Sequence, residues 1–259
     1  MNRNRSVVTC LSIASLMWPI VAPAQTPPKE SAKPTGGGPQ DILSAVPGDA
    51  WAVLCAPNIG KTDARLTALV QRLNLPMMIG SPLMMAKAMM GMNMGFDDSG
   101  ALAVVAMPMP DLTALGKSLV ILLPTSDYDQ LMSVMNPEPM EGGISKMYFM
   151  DKESYVARHG KWAAMAQTPE TLASLLKSKT SVKSRFNKHQ MKRFQQDDFT
   201  LWINASAITS SNLFAAFAPM LAMSSADPEM LKQISSIEVS FRFDASGLNL
   251  GYYIDAAPE

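Results

Sequence analysis

Three short runs, at residues 144–150, 154–159 and 161–167, are separated by tight breaks at Asp151-Lys152 and at Gly160. Breaks that tight leave no room for a crossover, so the runs predict neighbouring antiparallel strands in a meander. A second antiparallel unit is expected near the C-terminal end, where residues 237–243 and 248–254 flank the turn sequence Asp244-Ala245-Ser246-Gly247. In its first strand Ile237, Val239, Phe241 and Phe243 alternate with Glu238, Ser240 and Arg242, the pattern of a sheet with one wet face. Helices in this chain must therefore pack on a sheet already closed by hairpins.

The helices announce themselves by their starts. Asn58 precedes Leu66, Leu69, Val70 and Leu73 at helical spacing, and Ser81-Pro82 opens a second helix expected to reach Met92. Pro124-Thr125-Ser126 opens one through Met135, Thr168-Pro169-Glu170 one through Lys177, and a further helix is expected over 187–196. Helices are also expected over 206–223 and 228–234, and strands over 51–55, 101–107, 117–123 and 199–204. The reading is an α+β fold: a mixed, largely antiparallel sheet with helices packed on it. Strand 51–55 with Ala56-Pro57-Asn58-Ile59 is echoed by strand 199–204 with Ala205-Ser206-Ala207-Ile208. The echo suggests two related half-units within residues 41–259, with a boundary near 140–145.

The first forty residues set the compartment. Arg3 and Arg5 precede an uncharged apolar run over 7–21, and Ala22-Pro23-Ala24 offers small residues where a signal peptidase cuts. The run falls short of the ~20 residues needed to cross a bilayer core, and Pro19 interrupts it. Residues 1–24 are therefore expected to be a cleaved secretory signal. The expected location is the periplasm or the cell exterior, with no integral membrane segment left after cleavage. Residues 25–40, with four prolines and Gly36-Gly37-Gly38, hold too little apolar surface to offset ordering entropy and are expected to form a disordered linker.

Cleavage removes Cys10, leaving Cys55 as the one cysteine and a folded part that must rely on its core. It also removes two basic residues from a balanced 22 and 22. The slight acidic excess that remains gives no pull towards nucleic acid.

Taken together, Val46-Pro47-Gly48-Asp49-Ala50 before a strand and helix, the order of elements from Tyr155 to Leu176 around Gly160 and Thr168-Pro169-Glu170, and the hairpin at Phe243-Asp244-Ala245-Ser246-Gly247-Leu248 form a recognisable series. Over most of residues 41–256 it resembles an uncharacterised family of exported bacterial α+β proteins, abundant in planctomycetes, whose longer members repeat such units. The resemblance implies secretion and an α+β fold. It implies no catalytic residue, since the shared motifs are structural turns.

Motifs with chemical potential are few. Gly60-Lys61-Thr62 follows a strand and enters a helix, but a phosphate-binding loop needs a glycine where Cys55 stands, and Pro57 removes a donor. Ser174-Leu175-Leu176-Lys177 has the S-x-x-K spacing of penicillin-recognising enzymes, yet its serine falls inside an expected helix. His159 and His189 lack a nucleophile motif beside them. Asp97-Asp98 and Asp197-Asp198 read as solvated turn acids without metal-loop spacing. No catalytic residue and no cofactor is expected.

Two segments invite an interaction reading. Residues 177–193 carry seven Lys or Arg and no acid, with Phe186 among them. Within that stretch Lys183, Arg185, Lys188, Lys192 and Arg193 are candidates for holding an anionic lipid or envelope polymer, against the plainer role of a solvated helix connection. The second segment is methionine-rich, with eight methionines among the eighteen residues 77–94 and Lys87 its only charge before Asp97. Met85, Met89 and Met92 fall on one helical face, where three thioethers could hold Cu(I). The same residues suit an adaptable surface for an envelope protein or lipid, or a core helix in a methionine-rich chain. The expected role is a non-catalytic binding or structural module of the envelope. The alternatives are a Cu(I)-handling protein and a hydrolase whose site the spacing does not reveal.

Overall fold

The computed structural model describes residues 39–73, 81–149, 151–216, 228–244 and 247–256. The expected signal and nearly all of the expected linker lie outside them, as do Met77 and Met78. Pro39 and Gln40, the last two residues of the expected linker, already belong to the first helix, α1 (Pro39–Ala45).

Ten strands form one sheet, in the order β10-β9-β8-β1-β2-β3-β7-β6-β5-β4. They are β1 (Ala52–Ala56), β2 (Leu102–Ala106), β3 (Leu119–Pro124), β4 (Glu138–Pro139), β5 (Ile144–Phe149), β6 (Lys152–His159), β7 (Trp162–Ala166), β8 (Phe199–Ile203), β9 (Ile234–Asp244) and β10 (Gly247–Ala256). Every pairing among the described strands is antiparallel. The meander is β5-β6-β7, with turns at Asp151 (φ 61°) and Gly160 (φ 62°) where the sequence breaks. Strands β1 to β3 stand between β8 and β7, so strands from either side of residues 140–145 interleave in a single sheet. The echoed strands β1 and β8 pair with each other, and Asn58 and Asn204 cap the helices that follow them.

Further helices are α2 (Ile59–Arg72), α3 (Pro82–Met90), α4 (Tyr128–Met135), α5 (Pro169–Lys177), α6 (Lys188–Gln196), α7 (Ala205–Thr209) and α8 (Pro228–Lys232). Four begin as the residue types require. Asn58, Ser81, Thr168 and Asn187 each accept a hydrogen bond from a backbone N–H of the first turn, satisfying a donor with no partner inside the helix. α3 stops at Met90 because Gly91 takes the left-handed conformation (φ 68°), two residues short of the expected end.

The sheet is covered on both faces in its middle, which explains why β7 is buried along its whole length. On one face Ile42 and Leu43 of α1, Leu172 and Leu175 of α5, and Phe194 of α6 pack on Val53, Val105, Leu122, Ala164 and Trp202. On the other, Leu131 and Met132 of α4 join Met92, Leu123, Met147, Val156, Ala163 and Met165.

The C-terminal hairpin departs from expectation. Its polar row is the buried one: Ser236, Glu238 and Ser240 are within the protein, while Ile237, Val239, Phe241 and Phe243 are half-buried. The cause is α6, which lies over the polar row and brings partners to it. Arg193 donates from Nε and Nη2 to the two carboxylate oxygens of Glu238 at 2.7 and 2.8 Å. Gln190 Nε2 donates to Ser236 Oγ and to Asp255 at 3.1 and 2.8 Å. Polar groups supplied with partners can be buried where unpaired ones cannot.

Candidate functional site

The basic stretch divides on folding. Arg193 forms its fork with Glu238, whose side chain has no exposed surface, and stacks 3.9 Å over the Tyr253 ring. That carboxylate raises the arginine's pKa above its ordinary value, and the residue is committed to holding α6 on the sheet. Phe186 is likewise turned to the core, half-buried, 5.5 Å from Phe194 and 5.2 Å from Trp202 between ring centroids. Arg185, Lys188 and Lys192 are exposed and Lys183 half-buried. None of these four makes a salt bridge among the described residues.

The methionine segment also divides. Met92 lies beyond the end of α3 and is 1% exposed, packed with Leu131 and Met132. Helical spacing therefore does not bring its sulfur beside those of Met85 and Met89, which are 39% and 65% exposed. α3 has no buried residue at all, although eight of its nine residues are apolar. Met90 supplies its link to the core, while Met84, Met85, Ala88 and Met89 form one outward stripe. Exposed Met94 follows, and Val134 of α4 stands beside Gly91. The single charge of α3, Lys87, is spent: Nζ donates to both oxygens of Asp98 at 2.7 and 2.9 Å and lies 5.5 Å from the Phe96 ring.

The residues tested for chemistry have structural employment. Gly60 lets α2 approach the turn before β2, since a Cβ there would lie 2.7 Å from the Asp98 carbonyl oxygen, and Gly60 N–H donates to that oxygen. Ser174 Oγ donates back to the Glu170 carbonyl, and His159 Nε2 to that of Ala45 at 2.9 Å. Cys55 is fully buried, and burial pushes its thiol far above the ordinary range, away from the reactive thiolate. The acid pairs are not both solvated: Asp97 and Asp198 are buried, Asp98 exposed. No group of three or more His, Cys, Asp or Glu with metal-binding geometry occurs among the described residues.

Asp198 joins three elements. It accepts from Arg65 Nη1 at 3.0 Å, from the backbone N–H of Phe243 at 2.8 Å and from Thr62 Oγ1 at 3.5 Å. It thereby clips α2 to the start of β8 and the end of β9. Along this seam runs a cleft of about 680 Å³, lined from α2 by Lys61, Arg65, Ala68, Leu69 and Arg72, from α6 by Gln195 and Gln196, and from the β9 end by Arg242, Phe243 and Asp244. Sequence reasoning misses this cleft, because its cations come from segments about 170 residues apart and form no run.

No family model matches the chain, and no curated protein does. Among solved structures it is similar to crystal form I of TP0453, a treponemal protein, with 10% identity and a TM-score of 0.42 over 87% of this chain and 80% of that one. Among the described residues no helix is long and apolar enough to cross a membrane.

Proposed function

We propose that this chain is an exported module of the bacterial envelope that binds a partner rather than transforming a substrate, and that the methionine face of α3 is its contact surface. The observation that carries this is the outward stripe, with Met84 at 67% and Met89 at 65% exposed on a helix that has no buried residue. Contiguous apolar surface of that kind marks an interaction site. Methionine suits it because an unbranched thioether repacks against varied apolar shapes. The partner is an apolar segment of another envelope protein. Lys87 is neutralised by Asp98, so α3 offers no unpaired cation to draw anionic headgroups. The signal-like residues 1–24 support the compartment.

A photo-crosslinking residue placed at position 84 or 89 in intact cells tests the surface, with position 185 as the exposed control. A protein adduct of one discrete mass from 84 and 89, absent from 185, is the expected result. Lipid adducts alone, or the same products from all three positions, would overturn the reading. N-terminal sequencing of the same material checks export, with Gln25 as the expected first residue and an intact Met1 as the contrary one.

A further inference from the structure

We infer that the cleft between α2, α6 and the end of β9 binds a phosphate-type oxyanion carried on an apolar body. The inference stands apart from the methionine face, because it rests on different elements and different chemistry.

The charge in the cleft is uneven in a useful way. Arg65 is anchored: Nη1 is held by Asp198, which is 2% exposed, while its side chain remains 32% exposed and its other N–H donors are unused by Asp198. A guanidinium fixed by a buried carboxylate presents its remaining donors at little cost in side-chain order. Arg72 and Asp244 have partners of their own. Lys61 and Arg242 are exposed and make no salt bridge among the described residues. The cleft therefore holds two uncompensated cations beside one immobilised guanidinium.

That donor supply selects the ligand class. Two guanidinium groups and an ammonium offer more N–H donors than the two oxygens of one carboxylate accept, whereas a phosphate monoester has three terminal oxygens and matches arginine forks. Leu69 and Phe243 supply apolar wall, and the Phe243 ring is braced edge-on by Phe199 at 6.3 Å. A bare ion would leave that wall unused. The volume falls within the ~300–1,000 Å³ usual for small-molecule sites. A soluble phosphate monoester and the monoester headgroup of phosphatidic acid share this chemistry.

The test uses the full chain without its signal at low ionic strength, with calorimetric titration of inorganic phosphate and phenyl phosphate and sedimentation with vesicles containing phosphatidic acid. The variants are Lys61→Gln with Arg242→Gln and, as control, Lys188→Gln with Lys192→Gln; all four positions are exposed, and circular dichroism checks each fold. Phenyl phosphate is expected to bind more tightly than inorganic phosphate. The cleft pair should weaken it by about tenfold or more, the loss from one or more charge-assisted hydrogen bonds, while the control pair leaves it unchanged. Vesicle binding lost with the same variants assigns the headgroup as the source; phenyl phosphate binding without vesicle binding assigns a soluble ester. The inference is overturned if neither phosphate probe nor vesicles bind, or if the cleft pair binds as the unaltered chain does.

Discussion

Glu238 shows how much a single residue can hide from sequence reasoning. It lies in an alternating strand beside Ser240 and Arg242, where a charged side chain should face water, yet its side chain is fully buried under α6. Removing one partner of such a pair strands the other charge, at about 3–5 kcal/mol, whereas replacing both with apolar groups is often neutral. Because Arg193 keeps part of its surface, the lower end applies. Arg193→Met should destabilise the fold by about 3 kcal/mol in urea unfolding, and Arg193→Met with Glu238→Leu should recover most of that loss. Equal losses in the single and double variants would show that the pair is not what holds α6. The pH dependence follows from the raised arginine pKa. That contribution is complete below the arginine's ordinary value and lost only as pH rises through the higher folded one. Unfolding free energies measured from about pH 6 to 9 should carry no slope from this residue.

At the scale of elements, capping residues were legible and terminations less so. Asn58, Ser81 and Thr168 stand where short polar side chains precede apolar periodicity, and each caps its helix. Asn187, expected as the first helical residue, is instead the cap of α6, and α4 is capped by Asp127 rather than opened by Pro124-Thr125-Ser126. The end of α3 depends on Gly91, which an apolar pattern running on through Met92 conceals. The connection from α3 to α4 depends on Gly95. With φ 74°, its backbone touches the start of α4, and a Cβ would lie 2.3 Å from the Asp127 carbonyl oxygen and 2.4 Å from Leu131 N. Its own carbonyl accepts from Ser126 and Asp127 N–H. Left-handed backbone for a residue with a Cβ costs about 1–2 kcal/mol, and an overlap with backbone that cannot yield adds about 1–3 kcal/mol. Gly95→Ala should therefore lower stability by more than about 2 kcal/mol. A thermal midpoint equal to that of the unaltered chain would refute that packing.

For the whole molecule, the two edges of the sheet differ. β4 is two residues long, Glu138 and Pro139, a charge and a residue without an N–H, both of which discourage further pairing. β10 is ten residues long and sets Leu248, Leu250, Tyr252 and Ile254 in one exposed row, opposite Phe243, Phe241, Val239 and Ile237 of β9. A long, exposed apolar edge favours edge-to-edge association, and lysine suppresses it. Leu250→Lys is thus expected to raise the temperature at which light scattering begins while leaving the midpoint of the circular dichroism transition in place. An unchanged scattering onset would show that another surface governs aggregation.

The sequence alone determined what depends on short-range chemistry. Breaks at Asp151-Lys152 and Gly160 compel an antiparallel meander, caps and periodicity place α2, α3, α5 and α6, and together they require α+β; α1 and the break after Thr209 in the helix expected over 206–223 are not signalled. The reading of residues 1–24 as a signal and 25–40 as a linker rests on composition alone. Tertiary structure decided everything that depends on which distant segment supplies a partner. The polar row of β9 is buried because α6 brings Arg193 and Gln190 to it, Met92 turns inward while Met89 stays out, and Asp198 draws α2, β8 and β9 together. Lys61, Arg65 and Arg242 become neighbours along that seam only after folding. Periodicity reports which faces of an element differ, but not which face finds a partner, because that depends on contacts between residues far apart in the chain.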